Sequence, residues 1–93
     1  MALLADNEIE QRLEALEGWS RDGDAITRTY SNEDFVGSVK FVDRVVGPAE
    51  EMGHHPDLEI SWDQVKVSIT NHAEGGLTEA DFELAGRLDA LRD

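Results

Sequence analysis

The apolar residues of this chain recur at two spacings, and those spacings divide it into helices and strands. Ile9, Leu13 and Leu16 fall at i, i+4 and i+7, one face of a helix that Asp6 or Asn7 would cap and Gly18 would end. A second helical spacing runs from Ser31 to Gly53. There Phe35, Val39, Val42, Val46 and Ala49 form an apolar stripe, with Ser31 or Asn32 placed as N-cap. Gly47-Pro48 falls inside that stretch. Proline lacks a backbone donor and crowds the preceding turn, which predicts a kink or a restart. A third helix follows Gly75-Gly76, with Thr78 as cap and Phe82, Ala85 and Leu88 in its buried stripe.

Between the helices the period drops to two. Trp19 to Asp22 and Ala25 to Ser31 read as short strands around a tight turn signalled by Asp22-Gly23. Leu58, Ile60 and Trp62 alternate with polar residues, as do Val65, Val67 and Ile69. With Asp63-Gln64 as a two-residue turn, Trp62 would oppose Val65, Ile60 would oppose Val67, and Leu58 would oppose Ile69. Asp-Gln is a poor pair for such a turn, so this register rests on the pattern alone. Trp62 is expected to fill the core, Pro56 to fix the turn into its strand, and Trp19 and Tyr30 to belong to core or interface. The order helix, two strands, helix, two strands, helix predicts an α+β fold. Its two layers would be a four-stranded antiparallel sheet and helices packed on one face.

Composition narrows what such a fold is for. Ninety-three residues, 40% of them hydrophobic, suffice for one core, so residues 1–93 are expected to form a single domain. Cysteine is absent, which removes disulfides and thiolate metal sites. No basic leader or long apolar run marks the sequence, so a cytoplasmic location away from membranes is expected. Acidic residues outnumber basic ones 21 to 8, for a net charge of -13, which repels nucleic-acid phosphates. Only Lys40 and Lys66 are lysines, and this balance fits adaptation to high salt, where counterions screen self-repulsion.

All three histidines, His54, His55 and His72, flank the second hairpin. The register above places His55 opposite His72, with His54 delivered beside them by the preceding helix. Imidazole both gives and takes protons near neutral pH, so such a group suits a reaction that needs a general acid and a general base together. Adjacent histidines in an extended segment point opposite ways, which makes a shared metal awkward. Asp81 lies three residues after Thr78, where it suits a capping box, and an active-site role stays open beside that one. Glu50 reads first as a solvated helix carboxylate.

In order and spacing, Glu50, His54-His55-Pro56, Trp62-Asp63-Gln64-Val65, Asn71-His72, Gly76-Leu77-Thr78 and Asp81 resemble the signature of the pterin-4a-carbinolamine dehydratase family. The match is close from Glu50 to Ala85; in the N-terminal half it lies mainly in element order. The resemblance implies a 4a-hydroxytetrahydrobiopterin dehydratase, which converts the hydroxylated pterin to quinonoid dihydropterin and water. That activity recycles pterin for aromatic amino-acid hydroxylases and uses no metal or organic cofactor. The resemblance further implies that His54, His55 and His72 are the active-site histidines, the first and third for acid/base work and the second for positioning. It also implies that His54, His55, Pro56, Asn71, His72, Ala73 and Glu74 line the pterin site, with Asp81 as a further contact. Two positions depart from the family pattern: Gly53 stands where an acid is common, and Asn71 where threonine is common. Relatives also serve as dimerisation cofactors of a transcription factor, so a protein-binding module is the alternative. A homodimer or homotetramer is expected, because the sheet leaves edges open in so short a chain.

The charge balance generates its own test. If the surface is salt-adapted, the melting temperature should rise steadily as potassium chloride is raised toward about 2 M, beyond the range where a Debye length of roughly 3 Å at 1 M already screens simple repulsion. A melting temperature flat or falling across that series would contradict salt adaptation.

Overall fold

The computed structural model describes residues 2–92. Their order is α1 (Asp6–Ala15), β1 (Ser20–Asp22), β2 (Ala25–Ser31), α2 (Phe35–Met52), β3 (Asp57–Ser61), β4 (Gln64–Ile69) and α3 (Glu79–Asp89). The four strands form one antiparallel sheet in the order β1-β2-β4-β3. Ile26 pairs with Ile69, Tyr30 with Val65, and Leu58 with Val67, which puts these side chains on one face. Against that face pack Ile9 of α1, Phe41 and Val45 of α2, and Leu84 and Leu88 of α3. Thr27, Thr29, Glu59, Lys66 and Ser68 alternate onto the other face, which stays polar. The expected two-layer α+β architecture is therefore present.

The second hairpin differs from its predicted register. Ile60 pairs with Val65 and Ser61 with Gln64, so the turn is Trp62-Asp63 and the pairing has slipped by two residues. A slip of two keeps every inward residue inward, so an alternating pattern cannot detect it. Only the turn shows it. Trp62 takes a left-handed φ of 48° there and is 69% exposed, so it does not fill the core as expected.

Helix α2 also departs from the prediction. Asp34, not Ser31 or Asn32, caps it, accepting a hydrogen bond from the Gly37 amide at 2.7 Å. Its buried face is Ser38, Phe41, Val45 and Ala49, whereas Phe35, Val39 and Val46 of the expected stripe are exposed. Two apolar stripes wind around this helix, and Ser38 at the head of the buried one disguised it. No restart occurs at Gly47-Pro48: the helix is continuous across Pro48, with buried Val45 and Ala49 on either side. Packing of those neighbours offsets the donor that proline withholds. At the other helix starts, Ala5 precedes α1 in place of Asp6 or Asn7, and Thr78 caps α3 as predicted.

One polar node ties the layers together. The Asp89 carboxylate at the end of α3 accepts hydrogen bonds from Trp19 Nε1 at 3.1 Å, from Arg28 at 3.0 Å and from the Tyr30 hydroxyl. Tyr30 is 1% exposed, and its ring meets Trp19 edge-on and Phe41 at a centroid distance of 4.5 Å. Burial pushes the Tyr30 hydroxyl far above the ordinary tyrosine range; the adjoining Asp89 carboxylate adds to this, and Arg28 and Arg92 oppose it.

That shift sets an alkaline limit on stability. In the unfolded chain tyrosine ionises near pH ~10, while the folded chain keeps its proton to higher pH. Its contribution is therefore complete below about pH 10 and drains away as pH rises further. Tyr30 is the chain's single tyrosine, so tyrosinate absorbance should appear only together with loss of helical circular dichroism. A reversible tyrosine titration near pH ~10 with the fold intact would contradict this account.

Candidate active site

The end of α2 and the start of α3 build the site. Gly53 takes a left-handed conformation, φ 59°, and its amide closes α2 on the carbonyls of Ala49 and Glu50. The turn delivers His54, whose own amide still bonds to the Ala49 carbonyl at 3.0 Å. The His54 ring is 14% exposed, and its Nε2 lies 2.6 Å from Asp81 Oδ1. Asp81 has no exposed surface. Its second oxygen accepts the Thr78 amide at 2.7 Å and the Thr78 hydroxyl at 3.2 Å.

The two roles left open for Asp81 are thus compatible. One oxygen faces the first turn of α3, where amide donors and the helix dipole favour a negative charge. The other oxygen meets His54. A carboxylate accepts, so Nε2 carries the proton it donates, and Nδ1 is the nitrogen left for other chemistry. Being wholly buried, Asp81 offers a ligand no surface in this conformation, and its ring contact is with His54.

His55 and His72 have different surroundings. His55 is exposed, with Nε2 2.5 Å from Glu50 Oε2, so Glu50 is a histidine partner as well as a helix carboxylate. His72 sits in a tight turn over residues 71–76 and lines a cavity of about 240 Å³ with Asp22, Asp24, Thr70 and Asn71. Neither His54 nor His55 lines that cavity. The observed register, continued past Asp57 and Ser68, would set His55 level with Thr70 and not with His72. The expected pairing of those two histidines is corrected accordingly. Even so, β3 begins and β4 ends at the same edge of the sheet, so the two histidine segments leave it side by side.

The remaining candidates cluster on these segments. Asn71 Oδ1 accepts the Glu74 amide at 3.1 Å, and the Asn71 carbonyl accepts the Gly75 amide at 2.9 Å, so this residue shapes the histidine turn. Ala73 and Glu74 stand exposed on that turn, and Pro56 is half-buried just before β3. Asp22 and Asp24 are not legible as neighbours of His72 in the sequence, where Asp22-Gly23 signals only a turn between strands. Nor is the His55–Glu50 contact, whose spacing of five residues crosses the end of a helix. Among the described residues, no three side chains of histidine, aspartate or glutamate converge as a metal site, and no helix is long and apolar enough to cross a membrane.

Comparison with known proteins places this chain in a family. Residues 2–91 match the family described as Pterin 4 alpha carbinolamine dehydratase. A protein of Thermosynechococcus vestitus is 49% identical over 88 residues, covering 95% of this chain and 93% of that protein. One from a Roseiflexus species is 46% identical, covering 95% of each chain. Both carry the provisional name pterin-4-alpha-carbinolamine dehydratase. The crystal structure of a transcriptional coactivator/pterin dehydratase from Brucella melitensis matches with a TM-score of 0.92 and 31% identity, over 98% of this chain and 99% of that one. A pterin dehydratase-like protein identified as a RuBisCO assembly factor in the alpha-carboxysome matches with a TM-score of 0.69 over 81% of this chain and 89% of that one. At 23% identity that likeness speaks for the fold alone. With a match along almost its whole length, and with the histidine turns that gave the first resemblance, this chain belongs to the pterin 4 alpha carbinolamine dehydratase family.

Proposed function

We propose that this protein dehydrates 4a-hydroxytetrahydropterin to quinonoid dihydropterin and water, with His54 held by Asp81 as an acid/base group. The carbon–oxygen bond at C4a breaks, the departing hydroxyl takes a proton, and the adjoining ring nitrogen gives one up. Two positioned proton carriers suffice for that, and the reading requires no metal or organic cofactor. The observation that carries the proposal is the 2.6 Å contact between His54 and the fully buried Asp81, in a chain of this family. His72, on the neighbouring segment, is the second carrier, and His55 positions the substrate. Pro56, Asn71, Ala73 and Glu74 flank these groups and line the pterin. Recycling of pterin for an aromatic amino-acid hydroxylase is the corresponding role.

Replacement of His54 or His72 by alanine should lower kcat by roughly 100-fold or more, the usual worth of a positioned proton carrier. Asp81→Asn should lower kcat by on the order of 100-fold while KM changes little, because the ring loses its orientation and not its contact with substrate. Steady-state assays on a 4a-hydroxytetrahydropterin check both. Near wild-type kcat in His54→Ala and His72→Ala together would sink the assignment.

A second reading adds self-association. Phe35, Val36, Val39 and Val46 leave apolar side chains in solvent on α2, and β3 is an open sheet edge carrying exposed Ile60. A second copy of this chain covers the α2 stripe, giving the homodimer or homotetramer. Val39→Glu should then shift sedimentation toward the monomer. An unshifted profile, or a wild-type monomer that binds some other protein through this stripe, would contradict it and favour the protein-binding alternative.

A further inference from the structure

Away from the histidines, a cavity of about 520 Å³ opens beside the first half of α2. Its wall gathers Lys40 and Arg44 of α2, Arg92 just beyond α3, and Ser31 at the end of β2. Three of the chain's eight lysine and arginine residues therefore line one concavity on a molecule of net charge -13. Four of the other five cations meet carboxylates: Arg12 with Glu79, Arg21 with Asp6, Arg28 with Asp89 and Arg87 with Glu51. Here the Lys40 side chain has no ion pair or hydrogen bond among the described residues. The Arg92 guanidinium lies over the Tyr30 ring, 5.5 Å from its centroid, and Arg44 donates to the Leu91 carbonyl at 3.0 Å. Of the two acids on the rim, Glu33 and Asp34, the second is held by capping α2. Lys40 and Arg44 also stand four residues apart on one helix, a like-charge spacing that a bound anion would favour.

We propose that this cavity binds a small phosphate-bearing molecule. A monocarboxylate is satisfied by one arginine. Three cations with a serine hydroxyl match the greater charge and the several acceptor oxygens of a phosphate monoester. The volume lies within the roughly 300–1,000 Å³ of small-molecule sites. Lys40 and Arg44 precede His54 along and just beyond α2, which at about 1.5 Å per residue sets the cavity some ~15–20 Å from the histidines. They also lie on the opposite flank of α2 from Phe35, Val39 and Val46, and Val36 is the one residue of that stripe on the cavity wall. The site is independent of the dehydratase reading.

Adenosine monophosphate, with adenosine as its uncharged counterpart, probes the site by titration of the full chain at low chloride, followed by amide resonances and calorimetry. The monophosphate should shift amides of residues 31–44 and Arg92, and adenosine should not. Lys40→Gln and Arg92→Gln, both at exposed side chains, should each weaken binding at least tenfold, whereas His54→Ala should leave it unchanged. Equal binding of adenosine, undiminished affinity in Lys40→Gln, or shifts confined to residues 53–56 and 71–76 would overturn the proposal.

Discussion

The Asp81 carboxylate is the interaction on which the site depends. A charge without solvent contact is strongly unfavourable unless its oxygens are occupied, and here they accept from the Thr78 amide, the Thr78 hydroxyl and His54. The first two contacts start α3, and the third fixes His54, which follows the Gly53 cap of α2. Helix capping and histidine placement are therefore one arrangement. The geometry of His54 is secured by the same bonds that hold the fold, which gives a ring on a turn the precision of a ring on a helix.

Helix α2 organises the remainder. One face buries Ser38, Phe41, Val45 and Ala49 on the sheet. A second presents Phe35, Val39 and Val46 to solvent, and a third lines the cation-rich cavity. The C-terminal end of the helix, closed by Gly53, hands His54 to Asp81. An element with so many obligations tolerates Pro48 in its interior because tertiary packing, more than intrinsic propensity, holds it in place.

Much of this architecture was legible from the sequence, and the parts that were not share a cause. Element order and the apolar face of β4 follow from local periodicity, and the Thr78 cap from residue type and position. The hairpin register does not, because shifting the pairing by two residues preserves every inward side chain; the exposed Trp62 turn shows the difference. The α2 stripe was misassigned because two apolar rows share one helix, and only contact with the sheet selects between them. Asp89, which joins Trp19, Arg28 and Tyr30, was invisible among so many acids, since nothing local distinguishes a paired carboxylate from a solvated one. The candidate histidines stand out by their types and spacing. Their partners, Asp81 and Glu50, and the placement of His72 beside Asp22 and Asp24, needed three dimensions.

The most direct test of the central claim is a crystal structure of this chain with a bound dihydropterin. The account predicts the pterin ring within hydrogen-bonding reach of His54 Nδ1, with the Nε2 contact to Asp81 retained and the turn over residues 71–76 closing on the ligand. A pterin seated elsewhere, with the His54 ring untouched, would contradict it.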